Sequence, residues 1–385
     1  MDSPTTSAAD RSAETGPHGT STTADSLALQ QARERWKAER ARKAYYTRRF
    51  DLSGLPEYQP EQVVSGTIRQ RGVNYIADSG LVDRWEEGFR RHHPDVRFDD
   101  DLKSSVLALP ALYTGMADLA PMGRRLTWDE LTAYQRELNA APLEITFATG
   151  SLDVTGWTYA LAVMVHQSNP ISKLTFRQLD GIFGAERTGG WNGLMWDTSV
   201  ARGAEENIRT WGQLGLGGEW EQRPIHVYGY NLKFHFPDEF ARKVLNGGDK
   251  WNEQLIEYAN EAKPDGSGLV LAAEQFMADL SDDPCGIAYG SVHDVTPQTK
   301  PVAVSATDEG PFVPINLGTV QDRTYPLTRD VYYYLAGEPG KPIEPRLREF
   351  LRYVVSREGQ EAVQQDGKYL PLTAECAAEQ LRKLG

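Results

Sequence analysis

The sequence predicts an α/β protein, a mostly parallel sheet covered by helices. Three observations carry this. From about Val63 onward, short apolar segments suited to strands alternate with segments whose apolar residues recur at helical spacing. Tyr159 to His166 is a near-continuous apolar run closed by Asn169-Pro170, the pattern of a strand buried on both faces. In a chain of 385 residues, 40% apolar and 25% charged residues permit a packed core and exclude wholesale disorder. That length allows about two or three domains.

Residues 1–30 are rich in Ser, Thr, Ala and Asp and read as a disordered tail. They show neither the basic start nor the apolar stretch of a secretory leader. Residues 31–50 carry eight Lys and Arg against Glu34 and Glu39, with no Gly or Pro. An exposed basic helix is expected there, with Trp36 and Tyr45 packed onto the body. Pro56 and Pro60 mark the following linker as extended. Gly66 to Ile76 reads as a strand interrupted at Gly72. Ser79 can cap a helix whose Leu81, Val82, Trp85 and Phe89 share one face. Asp95–Phe98 and Ala117–Pro121 are short strands, and Val106–Tyr113 is a short helix between them. Thr175 and Gln178 form a capping-box pattern ahead of Ile182 and Phe183. Pro224–Tyr230 is a strand, Phe240–Leu245 starts a helix, and Gly286–Tyr289 is a further strand. Leu347, Phe350, Leu351, Val354 and Val355 sit at the spacing of an amphipathic helix.

The net charge of −13 argues against a nucleic-acid or anionic-membrane surface. It is unevenly spread: residues 31–50 carry +6 and the remainder −19. Two cysteines, Cys285 and Cys376, exclude a disulfide framework and a cysteine-based zinc site, and one bond between them stays open. No apolar run approaches the roughly 18 residues of a membrane span. Signatures of nucleophile elbows, P-loops, dinucleotide folds and zinc proteases are missing, so no cofactor or metal is expected. His92 and His93 read as surface residues, and His166 as a core histidine. Asp99–Asp101 reads as a solvated loop. His226 and His235 flank a strand-to-helix turn and are the histidines to test for function.

Several loops that follow strands carry polar groups: Asn74–Ser79, Lys103–Ser105, Gly123–Arg125 and Tyr228–Asn231. In an open α/β sheet ligands bind beyond the carboxyl ends of strands, where helix N-termini present free N–H groups. Serine hydroxyls and arginine forks supplement those donors. The pattern points to a small, polar, anionic ligand.

The order of segments from about Gly66 to Thr373 resembles the phosphate-type substrate-binding proteins of ABC transporters, in the periplasmic-binding-protein-like superfamily. LVDRWEEGFRRHHPDVRF, ALYTGMADLAPMGRRLT, YALAVMVHQSNPISKLTFRQLDGIFG, IRTWGQLGLGGEWEQRPIHVYGYN, CGIAYGSV, YPLTRDVYYYL and FLRYVVSREGQEAVQQDGKYLPLT carry the likeness. It implies the type II fold: two α/β lobes, two crossover strands and a ligand cleft between them. Residues 63–160 with 292–385 would form lobe one, and 161–291 lobe two. Four family ligand loops map onto Tyr75, Ile76, Ala77 and Asp78; Lys103, Ser104 and Ser105; Gly123 and Arg124; and Tyr230, Asn231 and His235. Three of them depart from the family's phosphate sequences, including its proton-accepting Asp.

The resemblance implies a monomeric binding protein for phosphate or a related small anion, with an ABC permease as partner and no catalysis. It implies an extracytoplasmic location. The absence of a visible leader leaves a cytoplasmic one open. The alternative is a repurposed sensor or enzyme of this fold, with His235, Asp78 and Lys103 as acid–base groups.

Overall fold

The computed structural model describes residues 40–41, 43–265, 268–336 and 342–385. The predicted tail over 1–30 and positions 31–39 of the predicted basic helix lie outside the described residues. The strands that build the two lobes are β1 (Gly66–Gly72), β2 (Val96–Leu102), β3 (Leu119–Met122), β4 (Leu143–Thr149), β5 (Ala162–His166), β6 (His226–Tyr230), β7 (Ile256–Tyr258), β8 (Gly286–Gly290), β9 (Thr299–Pro301) and β10 (Asp330–Leu335). The principal helices are α1 (Leu81–Arg90), α2 (Ala108–Tyr113), α3 (Trp128–Leu138), α4 (Phe176–Phe183), α5 (His235–Val244), α6 (Ala272–Asp282), α7 (Pro345–Val355), α8 (Arg357–Asp366) and α9 (Ala374–Leu384).

Two five-stranded sheets result, one per lobe: β2-β1-β3-β10-β4 and β7-β6-β8-β5-β9. The expectation of a mostly parallel sheet holds for four of the five strands in each sheet, and one strand in each is reversed. β1, β2 and β3 are parallel, but β10 runs antiparallel to β3 and β4. β6, β7 and β8 are parallel, but β5 is antiparallel to β8 and β9. The cause is connectivity. The chain crosses from β4 to β5 and returns from β9 to β10, and each crossing enters its new sheet in the reverse direction. β9 lies beyond residue 291, so the second sheet reaches past the division read from the sequence.

Local physics accounts for the elements and for their displaced ends. α1 buries Leu81, Val82, Trp85 and Phe89, the stripe its spacing predicts. Trp85 packs edge-on to Phe147 at 5.3 Å, and Phe89 to Phe350 of α7 at 5.3 Å. Both arms of the Thr175–Gln178 capping box are formed at the start of α4. α5 begins at His235, five residues earlier than predicted. Pro237 falls in its first turn, where a missing N–H costs nothing. β1 stops at Gly72 rather than Ile76. A Cβ there would lie 2.1 Å from the carbonyl oxygen of Pro121, and the chain then turns into a short helix, Tyr75–Asp78.

The basic-helix expectation fails over 43–50, which is neither helix nor strand. Tertiary bonds outweigh helix propensity there. The N–H groups of Tyr45 and Tyr46 both donate to Gly367 O at 2.9 Å, and the Tyr46 hydroxyl donates to Asp153 at 2.8 Å. Leu52, Leu55 and Tyr58 of the linker enter the lobe-one core. His93 is fully buried rather than on the surface. Its Nδ1 accepts from Val64 N at 3.2 Å and its Nε2 lies 2.7 Å from the Tyr58 hydroxyl, which donates to Glu349 at 2.7 Å. His166 ends β5 half-buried, bonded to Ser168, and is not a core residue. Cys285 and Cys376 are free thiols.

A buried acidic pair gives lobe one a pH signature. Gln70, held by the Tyr333 hydroxyl at 2.9 Å, reaches Asp100 at 3.1 Å and Glu86 at 3.5 Å. Burial, then the Asp100 carboxylate, holds the Glu86 carboxyl well above its ordinary value. The folded chain therefore keeps a proton that the unfolded chain loses in the ordinary carboxylate range. The contribution of Glu86 to stability should fall as pH rises past that range. Glu86→Gln is expected to flatten the decline between about pH 5 and pH 8 in urea unfolding, and an unchanged slope would refute this assignment.

Candidate functional site

Lobe one presents the carboxyl ends of β1, β2 and β3 at one edge, and the strand order β2-β1-β3 makes β1 the switch point. The loops that follow these strands meet at Gly123. Its N–H donates to Ser105 Oγ at 3.2 Å and its carbonyl accepts from the Thr158 hydroxyl. A Cβ there would touch Thr158 and Val73, both at 3.3 Å, so glycine lets three segments converge. Ser104 caps the turn Ser105–Leu107 through Val106 N at 3.3 Å. Lobe two contributes the carboxyl end of β6 and the start of α5. No side chain caps α5, which leaves its first-turn N–H groups and positive dipole end for an anion.

Two chain segments join the lobes and lie side by side. Gly150 N donates to Arg329 O at 2.8 Å, and Leu161 N to Leu327 O at 3.1 Å. They bring Thr158, Tyr159 and Arg329 to the boundary between lobes. Arg329 is 2% exposed. Its Nη1 donates to Tyr159 O at 3.4 Å, and its guanidinium lies over the Phe236 ring at 5.1 Å. Phe236 is stacked between Tyr159 at 5.3 Å and Tyr230 at 4.5 Å. Nε and Nη2 of Arg329 have no hydrogen-bond partner among the described residues, and no carboxylate there pairs with it. These two nitrogens form one edge of the guanidinium, the fork that matches an oxyanion with two parallel N–H bonds. A buried cation left so costs several kcal/mol until something answers it.

Charge in the site is set by this cation. Burial pushes the His235 imidazole well below its ordinary value, and Arg329 and Arg124 push it further. His235 is therefore neutral at physiological pH, with one donor and one acceptor nitrogen. Burial would raise the Glu239 carboxyl, but Arg329, Lys243 and Arg242 outweigh it and keep it ionised. Glu239 accepts from Arg125 N at 3.1 Å.

Of the residues expected from sequence, Ser105, Gly123, Tyr230 and His235 come together around this boundary, and Tyr75 stands beside it. The Tyr75 ring lies 5.0 Å from Trp157. Ile76 is fully buried core. Ala77 is partly buried against the same core. Asp78 is exposed and bonded to Asn74 at 2.5 Å. Lys103 is exposed and paired with Asp101 at 2.8 Å. Arg124 is committed to Glu130 through two bonds of 2.6 and 2.7 Å, which removes it as a free anion donor. Asn231 spends its carbonyl oxygen on Lys233 N at 3.1 Å. Of the acid–base set His235, Asp78 and Lys103, the last two are exposed and bonded to Asn74 and Asp101. His226 is bonded to Asp283 at 2.8 Å, apart from His235.

The sequence reading missed Thr158, Glu239 and Arg329. For Arg329 a signal existed: a lone cation, preceded by YPLT, opens the fully buried stretch Val331–Leu335. Such a charge is unlike strand cores and belongs at a boundary.

Comparison with known proteins gives the family. A family model described as a PBP superfamily domain matches residues 73–358, and the chain belongs to that superfamily. The phosphate-binding protein PstS of Pseudomonas aeruginosa is 32% identical over 331 residues, covering 86% of this chain and 91% of that protein. Among solved structures, an ABC-type phosphate transport receptor from Vibrio cholerae is 17% identical, with a TM-score of 0.46, covering 79% of this chain and 99% of the other. PstS from Borrelia burgdorferi is 14% identical, with a TM-score of 0.48, covering 80% and 100%. Among the described residues no helix is long and apolar enough to cross a membrane.

Proposed function

We propose that the protein binds phosphate or a closely related oxyanion between its lobes and delivers it, outside the cytoplasm, to an ABC permease. The kinship with PstS supports the transport role. The observation that carries the ligand chemistry is the unanswered Nε–Nη2 edge of buried Arg329, set against the uncapped start of α5. The Ser105 and Thr158 hydroxyls supply further polar groups at the boundary. Ligand residues proposed on this reading are Ser105, Thr158, His235 and Arg329, with Tyr75 and Tyr230 forming walls. Calorimetric titration with phosphate, with sulfate as comparison, tests it. Saturable binding of phosphate is expected, and no heat from either anion with folded protein would refute the reading.

The depressed His235 imidazole adds a pH test. As pH falls below the ordinary histidine range, the unfolded chain takes up a proton that the folded site refuses. The contribution of His235 to the stability of the ligand-free protein should therefore fall between about pH 7 and pH 5. His235→Gln should reduce that slope, leaving the part due to His93, which burial also lowers. A slope unaffected by the substitution would place His235 outside the charge cluster.

A further inference from the structure

The two lobes are fastened by a set of contacts that extends from the oxyanion site to the protein surface. His235, Glu239 and Arg242 fall at helical spacing 0, 4 and 7, one face of α5. That face lies against the lobe-one segment that follows β3. Glu239 accepts from Arg125 N at 3.1 Å, and Arg242 Nη2 donates to Leu126 O at 2.6 Å. One step further along the same segment, Trp128 at the start of α3 meets Trp191 with ring centroids 5.1 Å apart. Trp191 sits in the hairpin Gly190–Asn192/Met195–Asp197, whose other indole, Trp196, packs on it at 5.1 Å. The hairpin is anchored to lobe two at the end of α5. Trp191 N donates to Gly247 O at 3.0 Å, and a Cβ on Gly190 would lie 2.1 Å from Asn246 O.

The geometry points to a latch: the hairpin indole Trp191, closing on Trp128, together with the Arg242–Leu126 and Glu239–Arg125 bonds, holds the lobes shut and sets how long the ligand stays. Resting on the oxyanion reading, this assigns Trp128 and Trp191 as positioning residues that govern release without touching ligand. Trp128 is 43% exposed, so the indole pair is the wet end of a contact whose dry end is His235. One helix thus carries both the anion-facing turn and the closing face. An anion held at its first turn draws the same face onto lobe one, and the latch in turn favours the closed state in which Arg329 is buried.

Trp128→Ala and Trp191→Ala, singly and combined, test this with inorganic phosphate in stopped-flow release. Each single variant is expected to raise the dissociation rate about fivefold with little change in the association rate. The double variant should cost less than the product of the singles, because both remove one contact. Trp128→Phe should recover much of the loss. Unchanged release rates, or fully multiplicative effects, would overturn the latch. A second arm needs no ligand. Small-angle scattering of the ligand-free double variant should give a larger radius of gyration than the parent protein, and an identical radius would overturn the latch. Failure of phosphate to bind the parent protein would instead strike at the oxyanion reading and leave the scattering arm decisive for the latch. Trp128→Ala, at an exposed helix start, serves as the folded control should the hairpin variant fold poorly.

Discussion

Arg329→Gln is expected to weaken phosphate binding about a hundredfold while raising the heat stability of the ligand-free protein. The two effects have opposite signs for one reason. Two charge-assisted N–H bonds to an oxyanion together amount to about 3 kcal/mol, which is about two decades in affinity. Without ligand the same guanidinium is a buried cation with two idle donors, and its removal relieves that cost. Glu239 keeps Lys243 and Arg242 as counter-charges, so the substitution does not simply transfer the penalty. Arg329→Lys should lose about tenfold, because it keeps the charge but not the fork. Calorimetry and thermal melts read both quantities. A variant that is less stable and binds phosphate normally would mean that Arg329 is structural and that the ligand sits elsewhere.

Gly150→Ala should be strongly damaging, with a stability loss of about 3 kcal/mol or more. Gly150 lies where the two interlobe segments touch. An added Cβ would fall 2.4 Å from Arg329 O and 2.5 Å from Thr158 O. Both are backbone atoms, so no side-chain rotation can make room. The segments would have to part, breaking the Gly150–Arg329 bond of 2.8 Å and displacing Thr158 and Arg329 from the site together. Soluble yield and urea unfolding measure the effect. A loss below about 0.5 kcal/mol, the scale of an ordinary surface change, would show that the segments are not packed this closely in solution.

How much of this was readable from sequence depends on the range of the forces involved. The α1 stripe Leu81–Val82–Trp85–Phe89, the capping box of α4 and the buried run at β5 are local patterns, and each appeared where predicted. Element ends were less readable. α5 was placed late because its sequence pattern was read only from Phe240, whereas the helix starts at an uncapped His235. The helical propensity of 43–50 was real but lost to bonds with Gly367 and Asp153, some 320 and 100 residues distant in sequence.

The candidate site divides along the same line. Ser105 and Gly123 follow strands of lobe one, Tyr230 ends β6 and His235 opens α5; loop order along the sequence pointed to the first three, and the family resemblance added His235. Arg124 shows where that reasoning stops. Its type suits an anion, yet Glu130, six residues on, claims it with two bonds. Arg329 is the converse, a cation that no loop pattern marked.

By itself the sequence determined the α/β class, the acidic body, the order of strands and helices, and, through its resemblance, a pair of lobes with an anion-suited boundary. These follow from composition and from spacing along the chain, which are local quantities. The tertiary structure decided which charges remain unanswered. That depends on packing: Glu130 bonds Arg124, Asp101 bonds Lys103, and among the described residues Nε and Nη2 of Arg329 are left without a hydrogen-bond partner. In a low-dielectric boundary the absence or presence of one carboxylate within about 4 Å changes a donor's energy by several kcal/mol, and spacing along the chain carries no record of that distance.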